Sequence, residues 1–192
     1  YLAGQGRNGV LVLPSSITRI DNGIFTQRFQ NFKAIYAEGV TEVSSFAFQE
    51  TGSLNFAHLP KLKKLGEAVF TDNASLTAVN FPKLEEIGHI CFNGGSNISG
   101  NGLKITYISL PAVKKIGRGA FHGNYKNSGV AVLLGAMPEV DFTPYSDDDP
   151  FHDGNVAFGQ MKDPVLYVTP ANKATYQITD GKWKNFTVKE LK

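Results

Sequence analysis

The stretch LPKLKKLGEAVF at residues 59–70 returns as FPKLEEIGHICF at 81–92 and as LPAVKKIGRGAF at 110–121. A chain that repeats one phrase at a near-fixed interval is confined to architectures in which similar units stack. Aligned on the Phe that closes each phrase, the repeats fall at Phe25, Phe48, Phe70, Phe92, Phe121 and Phe151, with intervals of 23, 22, 22, 29 and 30 residues. The two longer intervals carry insertions.

Each repeat reads the same way from within. A proline column runs through Pro14, Pro60, Pro82, Pro111 and Pro138, with Glu38 standing in for the second repeat. One residue earlier stand Leu13, Ala37, Leu59, Phe81, Leu110 and Met137, and three earlier Leu11, Ile35, Ala57, Val79, Ile108 and Gly135. The alternation predicts a short strand with one inward face, which proline then ends because it has no N–H to donate. Five residues after the proline come Val43, Leu65, Ile87 and Ile116; in the first repeat, one residue longer, Ile17 and Ile20 take the two core places of this segment. No repeat buries its own apolar face, whereas a stack does. The expected fold is a repeat solenoid, mainly β, with parallel strands, one per coil of about 22–23 residues, and a short C-terminal capping helix.

The chain divides accordingly into an N-terminal linker at 1–8, about six repeats over 9–160, and a C-terminal strand and cap over 161–192, all within one solenoid domain. In the tail, Val165–Val168 reads as a last strand. Thr169-Pro170 reads as an N-cap with proline at the first helical position, followed by a helix to about Ile178 that ends near Gly181. Trp183 and Phe186 are then placed to cover the last coil, whose apolar face and strand edge need a cap. The chain starts at Tyr1 without Met or a signal sequence, so a preceding module or membrane tether, as in a lipoprotein, is expected at that end.

The phrases LPSSITRIDNGIF, LPKLKKLGEAVF, FPKLEEIGHICF and LPAVKKIGRGAF resemble the BspA-like leucine-rich-repeat family of bacterial and protist surface proteins. The resemblance is good over residues 9–125 and loose over 126–168, where MPEVDFTPYSDDDPF departs from it. It implies a solenoid of leucine-rich-repeat type at the cell surface or outside the cell. Its expected partners are a surface or host protein, or a glycan, with association to a membrane-embedded uptake complex, as in gut Bacteroidetes, a further implication. The tail also resembles the closing segment of surface members of that family, which places Lys192 near a natural end.

Composition removes several alternatives. With 19 basic and 17 acidic residues the net charge is +2, which gives no electrostatic footprint for nucleic acid. No apolar run reaches the ~18 residues of a membrane span. Cys91 is the only cysteine, so neither an internal disulfide nor a zinc cluster can form, and its place before Phe92 reads as core.

The chemistry-bearing side chains do not assemble into a catalytic set, and neither an enzyme nor a cofactor is expected. His122 and His152 each follow a closing Phe and, with Asp153, form the one metal constellation worth weighing. Two exposed turn histidines explain them more simply. Asp147, Asp148, Asp149 and Asp153 offer hard oxygen ligands to calcium, but without the spacing of a calcium loop, and a solvated acidic loop is the simpler reading. The polar insertion NGGSNISGNG at 93–102 reads as a surface loop. Lys63-Lys64, Glu85-Glu86 and Lys114-Lys115 share a column with alternating sign, which reads as pairing between coils and as a guard of their register.

What remains is the outward face of the strands. Four residues before the proline sit Val10, Ala34, Phe56, Ala78, Tyr107 and Leu134; two before it sit Val12, Tyr36, His58, Asn80, Ser109 and Ala136. Large apolar and aromatic groups on such a face signal a partner, a ligand or cover by the protein's own parts. The candidate ligand-binding residues are Tyr36, Phe56, His58, Asn80, Tyr107, Ser109 and Leu134. The expected function is a non-catalytic recognition or adhesion module. A structural scaffold or accessory subunit in a surface assembly is the competing reading.

Overall fold

The structure, a computed structural model, describes residues 9–26, 32–94, 103–123, 128–143, 156–158 and 161–192. Each coil contributes one strand to each of two faces. On the first lie β1 (Val10–Val12), β3 (Ala34–Tyr36), β5 (Phe56–His58), β7 (Ala78–Asn80), β9 (Tyr107–Leu110) and β11 (Ala131–Leu134). On the second lie the two-residue strands β2 (Arg19–Ile20), β4 (Glu42–Val43), β6 (Lys64–Leu65), β8 (Glu86–Ile87), β10 (Lys115–Ile116) and β12 (Glu139–Val140). All pair in parallel with the equivalent strand of the next coil, except that the first face is interrupted between β5 and β7. This is a parallel β-solenoid of about six turns with almost no helix.

The closing Phe residues stack along the axis. Phe25, Phe48, Phe70, Phe92, Phe121 and Phe158 have successive ring centroids 5.1, 5.5, 5.3, 5.0 and 5.4 Å apart and interplanar angles of 12° or less. The ring that follows Phe121 is therefore Phe158; Phe151, the expected member, lies outside the described residues. Eighteen residues separate Val140 from Phe158 where five separate Ile116 from Phe121, yet Ala157-Phe158 restores the small-residue–Phe pair of the other coils.

The sixth coil corrects a second expectation. Leu134 pairs with Leu110 and Val140 with Ile116, so Gly135, not Pro138, holds the place of Pro111. A Cβ on Gly135 would lie 2.1 Å from the Pro111 carbonyl oxygen, so the backbones approach closely there. Met137, expected inside, is exposed, while Val132 takes the core place expected of Gly135. Ile17, at the open first coil, is 37% exposed, whereas Ile20 is buried as expected.

Two backbone devices set the coil shape. The residue two before each of the first five Phe is left-handed: Gly23, Phe46, Ala68, Ile90 and Gly119 have φ of 62°, 59°, 52°, 45° and 63°. This turns the chain so that the following Phe points inward. A glycine column, Gly66, Gly88 and Gly117, marks where successive backbones come close. A Cβ on Gly88 would meet the Gly66 carbonyl oxygen at 2.4 Å.

At the C-terminal end, β13 (Val165–Val168) continues the first face beside β11, and β15 (Phe186–Glu190) pairs with β13. Thr169 caps α1 (Pro170–Lys173) through its hydroxyl, which accepts from the Asn172 N–H at 3.3 Å. The helix stops at four residues instead of running to Ile178. The Tyr176 side chain turns into the core and its hydroxyl donates to the Gly135 carbonyl at 3.1 Å; burial pushes its pKa above the ordinary tyrosine value. β14 (Lys182–Trp183) folds back on β15 and brings Trp183 and Phe186 against Phe158, with centroids 6.3 and 5.1 Å away and interplanar angles of 71° and 89°. Edge-on rings end a face-to-face column without leaving an apolar face open.

The two glycine classes separate experimentally. At Gly23 there is room for a methyl group, the nearest atom being Thr26 Cγ2 at 3.5 Å, so Gly23→Ala is expected to cost about 1 kcal/mol from backbone conformation alone. Gly88→Ala forces two coils apart and is expected to cost at least about 2 kcal/mol in urea unfolding.

Candidate functional site

The outward side of the first face carries an aromatic cluster. Strand register puts Tyr36 opposite His58 and Ala34 opposite Phe56. The Tyr36 ring lies 5.5 Å from Phe56 and 5.8 Å from His58, and the Phe56 and His58 rings, 6.5 Å apart, are within 10° of parallel. His58 Nε2–H donates to Glu38 Oε1 at 2.9 Å, which orients the imidazole from the turn that follows β3. Tyr36, Phe56 and Tyr107 remain 41%, 46% and 40% exposed. Rings held this way on paired strands form a rigid shelf, with little side-chain freedom left to lose on binding.

The other candidates divide. Asn80 is exposed on the same face, opposite Ser109, but Ser109 itself is buried. Leu134 does not face out: it is paired with the inward Leu110 and is 1% exposed. Ala131 and Leu133, opposite Tyr107 and Ser109, occupy the outward places of that coil. The error came from reading Pro138 as a member of the proline column.

Between β5 and β7 the ladder is open. Leu13 N–H and Ala37 N–H donate to the Tyr36 and His58 carbonyls of the next coil, and Phe81 N–H to Ser109. No such bond joins Leu59 to Asn80, or residues 55–58 to 77–80, among the described residues. Two side chains account for this. Phe81 is the one aromatic residue in a column of Leu and Ala, and its buried ring packs 6.2 and 6.4 Å from Phe70 and Phe92. Ala57 is the smallest member of the inward column and only partly buried, whereas Leu11, Ile35, Val79, Ile108 and Val132 are fully covered. A bulky residue behind the fourth strand and a missing side chain behind the third splay them apart. At the upstream end of this gap opens a shallow cleft of about 470 Å³, lined by Lys33, Ser53, Asn55, Ser75, Thr77 and Lys104.

The second face satisfies its own charges. Arg19, Glu42, Lys64, Glu86, Lys115 and Glu139 are register partners in succession, alternating in sign over six coils. Arg19–Glu42, Lys64–Glu86 and Lys115–Glu139 approach to 3.2, 3.5 and 3.9 Å, and Lys114–Glu85 in the next row to 2.6 Å. The Lys114 hydrogen bond and charge hold the Glu85 pKa below the ordinary carboxylate value. The groove beside this ladder has a floor of the glycine column, and close backbone packing already explains those glycines.

Cys91 is fully buried, and desolvation pushes its thiol up to about 12. Such a thiol is a core methyl equivalent, not a nucleophile. The four-aspartate loop, His152 and the 95–102 part of the polar insertion lie outside the described residues. Among the described residues no three His, Cys, Asp or Glu side chains are grouped to hold a metal ion, and no helix is long and apolar enough to cross a membrane.

A stack of short parallel strands with one Phe-closed turn per coil defines a leucine-rich-repeat solenoid. The BspA type leucine-rich-repeat region matches residues 9–128 in six copies, and the chain belongs to that family. A leucine-rich-repeat protein from Bacteroides ovatus ATCC 8483 has a similar fold, with a TM-score of 0.50 and 20% identity. The match covers 82% of this chain and 42% of that one, so this chain spans less than half of that protein's length. No curated protein matches. Modules of this family and fold typically mediate protein interactions and do not catalyse reactions.

Two outcomes are expected. A thiol reagent at pH 8 leaves native Cys91 unmodified and labels it fully in urea. Because the folded thiol is held above its ordinary value of 9.0, its contribution to stability is intact below pH 9 and is lost as pH rises toward 12. Glu86→Lys replaces attraction to Lys64 and Lys115 by repulsion, lowering stability by about 1 kcal/mol at low salt and by less in 1 M NaCl.

Proposed function

We propose that this chain is a non-catalytic recognition module that binds a protein or glycan partner through the outward side of its first face. The observation that supports the reading is the Tyr36–Phe56–His58 cluster: three rings oriented by strand pairing and by Glu38, yet left in solvent. Nothing in the packing of the solenoid requires them there, since the core column and the cap are complete without them. Large exposed rings fixed in one geometry are the usual anchors of recognition surfaces. Tyr107 and Asn80 extend the same surface, and Ser109 supplies its covered floor. Family membership favours work at the cell surface or outside the cell, including adhesion or service in a surface assembly.

The test is capture of partners from detergent-solubilised envelopes of the source organism, with the native chain beside Tyr36→Ala/Phe56→Ala. Both substitutions lie in solvent, so the thermal midpoint of the variant is expected to stay within a few degrees. A partner held by the native chain and reduced at least tenfold with the variant is the expected result. Partners held equally by both would move the interface off this face and favour a scaffold whose contacts lie at its ends or insertions.

A further inference from the structure

We propose that the gap between the third and fourth coils is a binding site for an acidic glycan, a chain of pyranose rings bearing carboxylates. The inference rests on the recognition reading above and names the ligand class for that face.

Three observations converge on one place. The first is the interrupted ladder: β5 and β7 present strand backbone to each other without bonding, while β6 and β8 behind them stay paired. Strand N–H and C=O groups that no neighbour satisfies must find partners in water or in a ligand. The second is the row of side chains across the gap. Ala34, Phe56, Ala78, Tyr107 and Ala131 occupy equivalent outward positions, so small and aromatic residues alternate. Phe56 and Tyr107 stand two coils apart, farther than the roughly 10 Å of two bonded strand spacings because the ladder between β5 and β7 is open, with the Ala78 methyl between them. That notch is wide enough to admit a pyranose ring, and its aromatic walls suit the C–H faces of a sugar.

The third is the cleft at the upstream end of the notch. Among the described residues its lining combines Lys33 and Lys104 with the short polar side chains of Ser53, Asn55, Ser75 and Thr77. Asn55 and Thr77 directly precede Phe56 and Ala78 in the chain, so cleft and notch are continuous. Short hydroxyl and amide groups suit a ligand rich in hydroxyls, and two ammonium groups suit one that is anionic. The rest of the face argues against a protein as occupant. A stable protein interface buries about 800 Å² per partner around an apolar core. Here Val12, Tyr36 and Phe56 make one small patch, cut off from Tyr107 by Ala78, Asn80 and Ser109.

The experiment titrates the intact chain with three uronate polymers of different linkage (polygalacturonate, alginate and hyaluronan), with an uncharged galactan and with polyglutamate. Binding is read by affinity electrophoresis and calorimetry at low salt. At least one uronate polymer is expected to bind. Galactan and polyglutamate are expected to bind at least tenfold more weakly. Lys33→Gln/Lys104→Gln is expected to lose at least tenfold in affinity for the uronate, and Phe56→Ala to lose a similar factor. Both variants change exposed side chains, and their thermal melts check folding.

Failure of all three uronates overturns the proposal. So does equal affinity for galactan, undiminished binding by the lysine variant, or equal affinity for polyglutamate, which would point to an acidic protein segment. The recognition reading is decided separately: Tyr36→Ala/Phe56→Ala keeps both lysines, so a partner lost with it from the envelope capture would uphold the face even if every uronate fails.

Discussion

The column of Phe rings is the interaction on which the rest of the structure depends. Each ring sits about one coil spacing from the next and nearly parallel to it, so one coil is sealed by its neighbours and by nothing in itself. The left-handed residue two before each of the first five rings, the close approach at the glycine column and the buried polar bridge between coils all serve that stacking. In that bridge Asn73 donates to the Phe48 carbonyl at 2.8 Å, and the Thr51 hydroxyl lies 2.5 Å from Asn73 Oδ1. The carbonyl of a stacked residue thus finds its donor on the following coil, inside a core where an unpaired group would be costly. The column needs an end, and Trp183 with Phe186 supplies one by meeting Phe158 edge-on.

With the interior fixed by repetition, the two faces are free to differ. The second face carries alternating charges that answer one another from coil to coil. It has short strands, a glycine floor and little need of a partner. The first face carries longer strands, aromatic groups in solvent and one interruption. Phe81 links the two levels of organisation: the substitution of an aromatic residue for leucine in a core column is accommodated by opening the strand ladder in front of it. A departure from the repeat in the core is thereby displayed on the surface. This is a physical route by which a monotonous scaffold acquires a distinct local site.

The repeat, the alternation of strand residues and the cap residues were legible because each is a short-range pattern: proline after a strand, Phe at a near-fixed interval, Thr-Pro before a helix. Misreadings arose where one signal was trusted against register. Pro138 drew the sixth strand three residues too late, which turned Leu134 outward on paper although it is in the core. Phe151 matched the interval, whereas Phe158 matched the small-residue–Phe pair, and packing follows the pair. The helix after Thr169 had a start signal but not enough apolar residues on one side to persist, and Tyr176 was drawn into the core instead. The open ladder left no periodic trace. It depends on the size of two side chains on adjacent coils, Ala57 and Phe81, which is visible only once those coils are superimposed. The aromatic cluster was legible as a column of exposed residues; Glu38 as its support, and the lysines of the adjoining cleft, were not, because they come from turns outside the strand pattern.

The most direct test of the account is equilibrium urea unfolding of Phe92→Ala, which removes one ring from the middle of the column. If stacking of these rings holds the coils together, the variant loses about 3–5 kcal/mol, the usual cost of emptying an aromatic core position. A loss below about 1 kcal/mol would contradict it, because the coils would then be held by their strand ladders, with the aromatic column a passenger.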